Sequence, residues 1–549
     1  MKRVILLMLA VEMGSLAVSA KTITCPTCSQ SDFEHAYYVD SQPGDTIVLP
    51  AGSATWGNSS RGNNGVIYII TNVTVVGQGD STVITLDDSG KTYSEGVIAL
   101  WSAATFKHFK IIGSNVNPVT AFNVSSYNNP TTGINFTDGF RISDITYVGG
   151  TSGAYFAYIN SGVNSGLIDN CRITGNSQQA ELILGRGPAN AWQSNNTLGT
   201  ADNIFIEDCT YNTYGYVCDA NSNARFVVRF CTVNGANKVD GHGLASNSPA
   251  RSFRNMEVYD NSWTMTGAGN WQNIEIRGGT SMIFDNTSIV GWALLTEYAY
   301  NAAPQPWPNF GSYSPSLNAG NPTTITTSSP HGYSTGWPVW VQAPLGVVYG
   351  FYNITVTSPT TFTIPVSTST NETADFCTTY KTPYDYPIKD QVGNGRDGAA
   401  REPSYLIHNT QGGAAWPRST WNVAAGALAF YRAQTGNGAA TFTEKDVIQS
   451  NRDFFADAGF DTNTGAGRGT KAAMNATTPS VTGYGWWVTD EGSWNTKLSP
   501  NTSGQLYTWN GSAWVLKYTP YIYPHPLQGG TIVPPTNAII SVEVIPSAN

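Results

Sequence analysis

Six short segments between residues 142 and 291 repeat one pattern, and that repeat limits the fold more than any other feature of the chain. ISDITYVGG from Ile142, IDNCRITG from Ile168, IEDCTYNT from Ile206, VRFCTVNG from Val228, YDNSWTMTG from Tyr259 and FDNTSIVG from Phe284 share one grammar. Each reads apolar, outward, turn, small or apolar, outward, apolar. The turn position falls on Asp144, Asn170, Asp208, Asn261 and Asn286, with Phe230 as the exception. The residues that follow, Ile145, Cys171, Cys209, Cys231, Ser262 and Thr287, are spaced by 26, 38, 22, 31 and 25. A β-rich unit of that length, with no helical periodicity between copies, cannot bury its own inner face, so copies must stack. Asn and Asp suit such a corner because they tolerate a left-handed backbone. The three cysteines then either stack inside as small apolar groups or pair as a disulfide; both readings are structural.

Composition agrees with a stacked coil. Only 12% of the 549 residues are charged, while Gly numbers 56 and Pro 29, so long solvent-facing helices have too few Glu, Lys and Arg to form. A helical bundle is excluded. The net charge is -9 and no Lys/Arg run exceeds two residues, which leaves nucleic acid without an electrostatic footprint.

The remaining chain divides around the repeat. Lys2-Arg3, the apolar run Val4–Ala10 and Val18-Ser19-Ala20 read as an export signal over residues 1–20, so the mature protein is expected to be secreted, periplasmic or cell-surface. No later stretch is apolar enough for a membrane span. Cys25 and Cys28 form a lone C-x-x-C without the second pair that a zinc site needs, which leaves a local disulfide or free thiols. Residues 21–300 are expected to form coils behind a short N-terminal helix capped by Ser31 or Asp32. The repeat lapses over 301–400, where a Pro-rich loop and a Thr-rich alternating stretch predict a small inserted β-barrel with His331 at a turn. Coils return over 401–460. Residues 461–530 carry Trp486, Trp487, Trp494, Trp509 and Trp514, either as a cover for the C-terminal edge of the stack or as sugar-stacking platforms, and Asn510-Gly511 predicts a hairpin. A short tail, 531–549, follows.

With this coil grammar the chain resembles the pectate-lyase-like superfamily of secreted right-handed parallel β-helices, and the PGDTIVLPAG and YTPYIYPHPL segments look like those of a bacterial group within it. The resemblance implies an all-β solenoid that acts on, or binds, a long polysaccharide along an outward face. NKVDGHGLASNS supplies Lys238, Asp240 and His242 among glycines. With Asp219 before it and Arg277 in IEIRGG after it, the order is similar to polygalacturonase-type hydrolases. That resemblance makes Asp219 the acid, His242 the orienting residue and Arg277 the carboxylate binder. The family's Asn-Thr-Asp string is absent, however, and its adjacent Asp pair is reduced to Asp219.

Hydrolysis needs two carboxyls, one protonated and one ionised, and Asp240 is the remaining candidate. A lyase needs a base and a cation beside a uronate carboxylate, which Lys238, His242, Arg254 and Arg277 supply, leaving Asp219 and Asp240 for calcium. A second, outward line precedes the corner: Asp169, Glu207, Arg229, Asp260, Asp285 and His408. Arg229, Glu207 and Glu257 are substrate-binding candidates. The expected function is polysaccharide cleavage, first by elimination and alternatively by hydrolysis, or polysaccharide binding without catalysis, in a monomer.

Overall fold

The computed structural model describes residues 19–529 apart from connecting stretches, the longest of which are 126–137, 297–312 and 416–448. Most of residues 1–20, where an export signal is expected, and the tail from residue 531 lie outside the described residues.

Parallel strands stack coil upon coil into a β-helix with three faces. The first two faces form one 20-stranded sheet, because Thr74–Leu86, Thr105–Ile112 and Phe140–Val148 run through the corner between them without a break. The third face is a nine-stranded sheet from Ile67–Ile69 to Leu295–Thr296. Strand alternation sends every second side chain inward, and the register puts like over like: Ile142, Ile168, Ile206, Val228, Val258, Ile283 and Leu406 form one buried column. Burying each such side chain contributes about 1.5–3 kcal/mol, and no single coil can do it alone.

The corner between the first and second faces is left-handed in coil after coil. Positive φ occurs at His108, Asp144, Asn170, Asp208, Phe230, Asp260, Asp285 and His408. This corrects the sequence alignment in two places. Phe230 is no exception; its ring stacks on Tyr523 at 3.8 Å, so packing offsets the strain of a non-Asx residue. In the later coils the corner is Asp260 and Asp285, not Asn261 and Asn286, since Thr232 pairs with Ser262 and Ser262 with Thr287. Asn261, Asn286 and Asn409 therefore continue the inner column begun by Cys171, Cys209 and Cys231. Asn261 Nδ2 donates to Asn286 Oδ1 at 3.0 Å and to the Val228 carbonyl at 2.9 Å, while its own Oδ1 accepts from the Cys231 N–H. The cysteines are free thiols, each donating to the carbonyl two residues before it.

At the N-terminal end a helix, Gln30–His35, lies across the first coil and seats Phe33 on Trp56, with ring centroids 4.8 Å apart. Its cap is Ser29 rather than Ser31 or Asp32: Ser29 Oγ accepts from Asp32 N. Cys25 and Cys28 are buried free thiols beside it. Within 313–379 two antiparallel sheets, of five and three strands, enclose a separate core around Ile325, Val341 and Phe362. His331 is buried there and accepts from Tyr333 N through Nδ1, which makes it a turn residue.

The aromatic C-terminal module covers a side of the solenoid, not its end. A four-stranded sheet, Ala466–Gly469, Gly485–Val488, Gln505–Trp509 and Trp514–Tyr518, packs Trp487, Trp494, Leu506 and Tyr518 onto Phe205, Val227, Tyr259 and Phe284 of the first face. Trp486, Trp509 and Trp514 lie on neighbouring strands but only partly buried. The Asn510-Gly511 hairpin is present with a four-residue loop, in which Asn510 Oδ1 accepts from Ser512 N and Ala513 N.

Candidate functional site

Three neighbouring strands of the third face, Gly215–Asn221, Asn237–Gly241 and Ile274–Ile276, gather the charged groups. Asp219 pairs in register with Asp240, and Asp240 with Glu275, so alternation aims all three carboxylates outward on successive coils. Lys238 stands two residues before Asp240, His242 two after, and Arg277 two after Glu275, which extends the cluster along the same face. The glycines of Asp240-Gly-His242-Gly permit this closeness. A Cβ on Gly241 would lie 2.6 Å from the Phe253 ring, and one on Gly243 2.9 Å from Arg277 Cβ.

The contacts form one network. Arg277 Nε donates to Glu275 Oε1 at 2.7 Å, and its Nη2 lies 3.3 Å from Asp240 Oδ2. Lys238 Nζ is hydrogen-bonded to the other oxygen of Glu275, lies 3.6 Å from Asp240 Oδ2, and sits 4.6 Å from the Tyr216 ring centre. His242 Nδ1 lies 3.3 Å from Asp219 Oδ1 and 3.3 Å from Arg277 Nη1.

Burial sorts these groups by task. Asp240, Glu275, Lys238 and Arg277 keep 1%, 2%, 4% and 6% of their surface, whereas the His242 side chain keeps 23%. His242 is more accessible than the charged residues around it, Asp219 included, whose side chain keeps 12%. Burial opposes its charge, yet the Asp219 contact and the nearby carboxylates outweigh that and raise its pKa. Burial, with Glu275 alongside, lifts Asp240 to about 7 despite Arg277 and Lys238. Neither oxygen of Asp240 has a hydrogen bond among the described residues. Glu275 is also desolvated, but Arg277 and Lys238 pull it below the usual carboxylate range.

Asp219, Asp240 and His242 place a ligand atom each within 4.8 Å of one another. That set fits calcium poorly. It offers only two carboxylates and a ring nitrogen, whereas calcium takes six to eight oxygens, and Lys238 and Arg277 already bring positive charge to Asp240.

The structure brings Asp219, Lys238, Asp240, His242 and Arg277 together, and with them Glu275, which the sequence reading did not single out although the alternation Ile274-Glu275-Ile276-Arg277 marks it as outward. Arg254 does not join them. It is fully buried, pairs with Glu402 at 2.7 Å and donates to the Ser194 carbonyl at 2.9 Å, so it anchors a loop.

The other predicted line needs correcting as well. In register, Asp169, Glu207 and Arg229 are followed by Tyr259, Phe284 and Ile407, while Asp260, Asp285 and His408 occupy the corner. Arg229, Glu207 and Glu257 are wholly buried under the C-terminal segment and hold it down. Arg229 donates to the carbonyls of Tyr521 and Ile522, Glu207 accepts from His525 N and Gln528 Nε2, and Glu257 accepts from Tyr518 Oη. These three residues are out of reach of a polymer and act as structural anchors.

No protein-family model matches the chain, and no curated protein sequence does. Among solved structures, ORF18 of Geobacillus virus E2 is similar over 62% of this chain and 70% of its own, at 13% identity and a TM-score of 0.21. The tailspike gp61 of Pseudomonas phage phi297 is similar over 63% of this chain and 94% of its own, at 9% identity and a TM-score of 0.14. Likeness at that level carries no inference about function, which rests on the site. Among the described residues no helix is long and apolar enough to cross a membrane.

Proposed function

We propose that the chain is an exported carbohydrate-active protein of the pectate-lyase-like kind, cleaving a long uronate-containing polysaccharide by β-elimination, with His242 as the base. The observation that carries this reading is the accessibility of His242 above a buried, hydrogen-bonded charge network. Elimination needs one exposed proton acceptor and a nearby cation. Hydrolysis needs two carboxyls that reach the sugar, and Asp240, the proton-holding one, is 1% exposed.

This mechanism takes His242 with its proton on Nδ1, facing Asp219 Oδ1 at 3.3 Å, so that Arg277 Nη1, 3.3 Å from the same nitrogen, is a neighbouring charge and not a donor to it, and Nε2 is left to remove the proton next to the uronate carboxylate. The released electron pair forms the new carbon–carbon double bond as the glycosidic oxygen departs and takes up a proton. Arg277, in contact with His242, is the nearest cation to spread the charge that develops on the carboxylate. Glu275 and Lys238 keep Arg277 and Asp240 in place. No step requires a metal.

Incubating the purified protein with uronate-containing and neutral polysaccharides tests the reading. Unsaturated chain ends are the expected product. Reducing ends alone would replace elimination by hydrolysis, and retention of the polymer without cleavage would make the protein a binding module.

A further inference from the structure

The face that holds the charged network continues toward the N-terminal end of the solenoid with a different chemistry. In register, the outward column of Glu275, Asp240 and Asp219 runs back, past Leu182, through Tyr158, Asn123, Ala99 and Tyr68. A second outward column lies two residues further along each strand, and there His242 is preceded by Asn160, Ser125, Trp101 and Ile70. None of these eight earlier residues is charged. In the middle of the run Asn123 and Tyr158 lie flush, at 7% exposure each, and Asn160 Nδ2 donates to Asn123 Oδ1 at 3.0 Å and to Ser125 Oγ at 3.1 Å.

The far end is aromatic and open. The Tyr68 and Trp101 rings are half-buried, with centroids 4.6 Å apart and planes tilted by 56°. Beside them Ile70 is 53% exposed and Val39 54%, more than any other large apolar side chain among the described residues. The short helical turn Ala36–Asp40 fixes this corner: Tyr37 Oη accepts from Ile70 N at 2.7 Å, and Tyr38 Oη donates to the Tyr68 carbonyl at 3.2 Å. Apolar surface held open on a rigid base marks a contact site. Tilted aromatic rings suit a pyranose, which presents C–H groups on its faces and hydroxyls at its edge. Neither column offers a cation here to offset the desolvation of a carboxylate, so the fitting ring is uncharged.

We propose that Tyr68, Trp101 and Ile70 form a distal stacking subsite for an uncharged sugar ring. Trp101 lies five strand layers from His242, about 24 Å along the solenoid axis, so one polymer chain reaches both places. The substrate then carries neutral sugars as well as uronates. That the stacked ring belongs to the polymer held at His242 rests on the elimination reading; the stacking subsite itself does not.

Electrophoresis of the intact protein through gels cast with glucuronoxylan or rhamnogalacturonan, which are mixed polymers, and with polygalacturonate, which is charged on every unit, tests the subsite. His242→Ala keeps the polymers uncut. On that background a mixed polymer should retard the protein, at least tenfold more weakly after Trp101→Ala or Ile70→Asp, with recovery in Trp101→Phe, while retention by polygalacturonate should not change. Circular dichroism checks that each variant folds, and Ile70→Asp alters only an exposed side chain. Where the native protein cleaves a mixed polymer, Trp101→Ala should raise KM and leave kcat unchanged. No retardation by either mixed polymer, retardation indifferent to Trp101→Ala and Ile70→Asp, or an equal loss on polygalacturonate would each overturn the proposal. So would a concentration-dependent dimer in sedimentation that Ile70→Asp abolishes, which would give the patch to a second copy of the chain. Trp101-dependent retardation without turnover sinks the elimination reading alone, and turnover indifferent to Trp101→Ala sinks the subsite alone.

Discussion

Asp219 Oδ1 and His242 Nδ1 meet at 3.3 Å across two adjacent coils, 23 residues apart in sequence but one strand layer apart in space. The pairing orients the imidazole and raises its pKa at an accessible edge of a largely buried network.

His242→Ala is expected to lower kcat/KM by at least 100-fold, the usual contribution of a general base. A base works in its deprotonated form, so the raised pKa of His242 puts the rising limb of the pH profile above the ordinary imidazole range. Asp219→Asn removes the contact that raises it, so that limb should move to lower pH while the plateau falls. A pH–rate profile of both variants reads this directly, and an unmoved limb in Asp219→Asn would assign the titration elsewhere.

Glu257 predicts how stability depends on pH. Burial lifts its pKa from 4.5 to about 7, although Tyr518 and Gly199 donate hydrogen bonds to it. The folded protein then holds a proton that the unfolded chain releases. Its contribution is complete below pH 4.5 and is lost as pH rises through about 7, an effect of roughly 3 kcal/mol. Denaturation at pH 5 and pH 8 should show wild type weakening between them, with Glu257→Gln weakening less.

Arg229 and Glu207 are both fully buried and paired. Arg229→Met leaves Glu207 buried without its counter-ion, which should cost about 3–5 kcal/mol, whereas Arg229→Met with Glu207→Gln should cost less. Limited proteolysis within residues 519–529 reports whether the segment has been released. Equal losses in the single and double variants would show that the pair itself is not what holds it.

Chelation provides a further check. Because Lys238 and Arg277 supply the positive charge at Asp240, turnover should be unchanged by EDTA and by added calcium. A calcium-dependent rate would instead make Asp219 and Asp240 metal ligands.

The coil stack was legible because each inward column repeats a residue type at a fixed place in the pattern. The corner register was not, since Asp260-Asn261 and Asp285-Asn286 offer two left-handed-tolerant residues side by side and only strand pairing chooses between them. The site was legible where alternation set Asp240 and His242 on one face. Glu275 was overlooked beside Arg277, the more conspicuous motif residue. The burial of Arg229 was beyond sequence reasoning: it depends on Tyr521, 292 residues downstream, lying across it.

That crossing also imposes an order on assembly. A solenoid grows by adding each coil to the last, so coils can form while the chain is still emerging. The strip of Leu167, Phe205, Val227 and Tyr259 nevertheless stays uncovered until residues 466–529 exist, and Arg141 waits for carbonyls 386 and 387 positions away. Until then a half-made molecule presents an oily flank to its neighbours. Completion of the C-terminus is therefore a folding checkpoint, and the interval before it is when this protein most needs a chaperone.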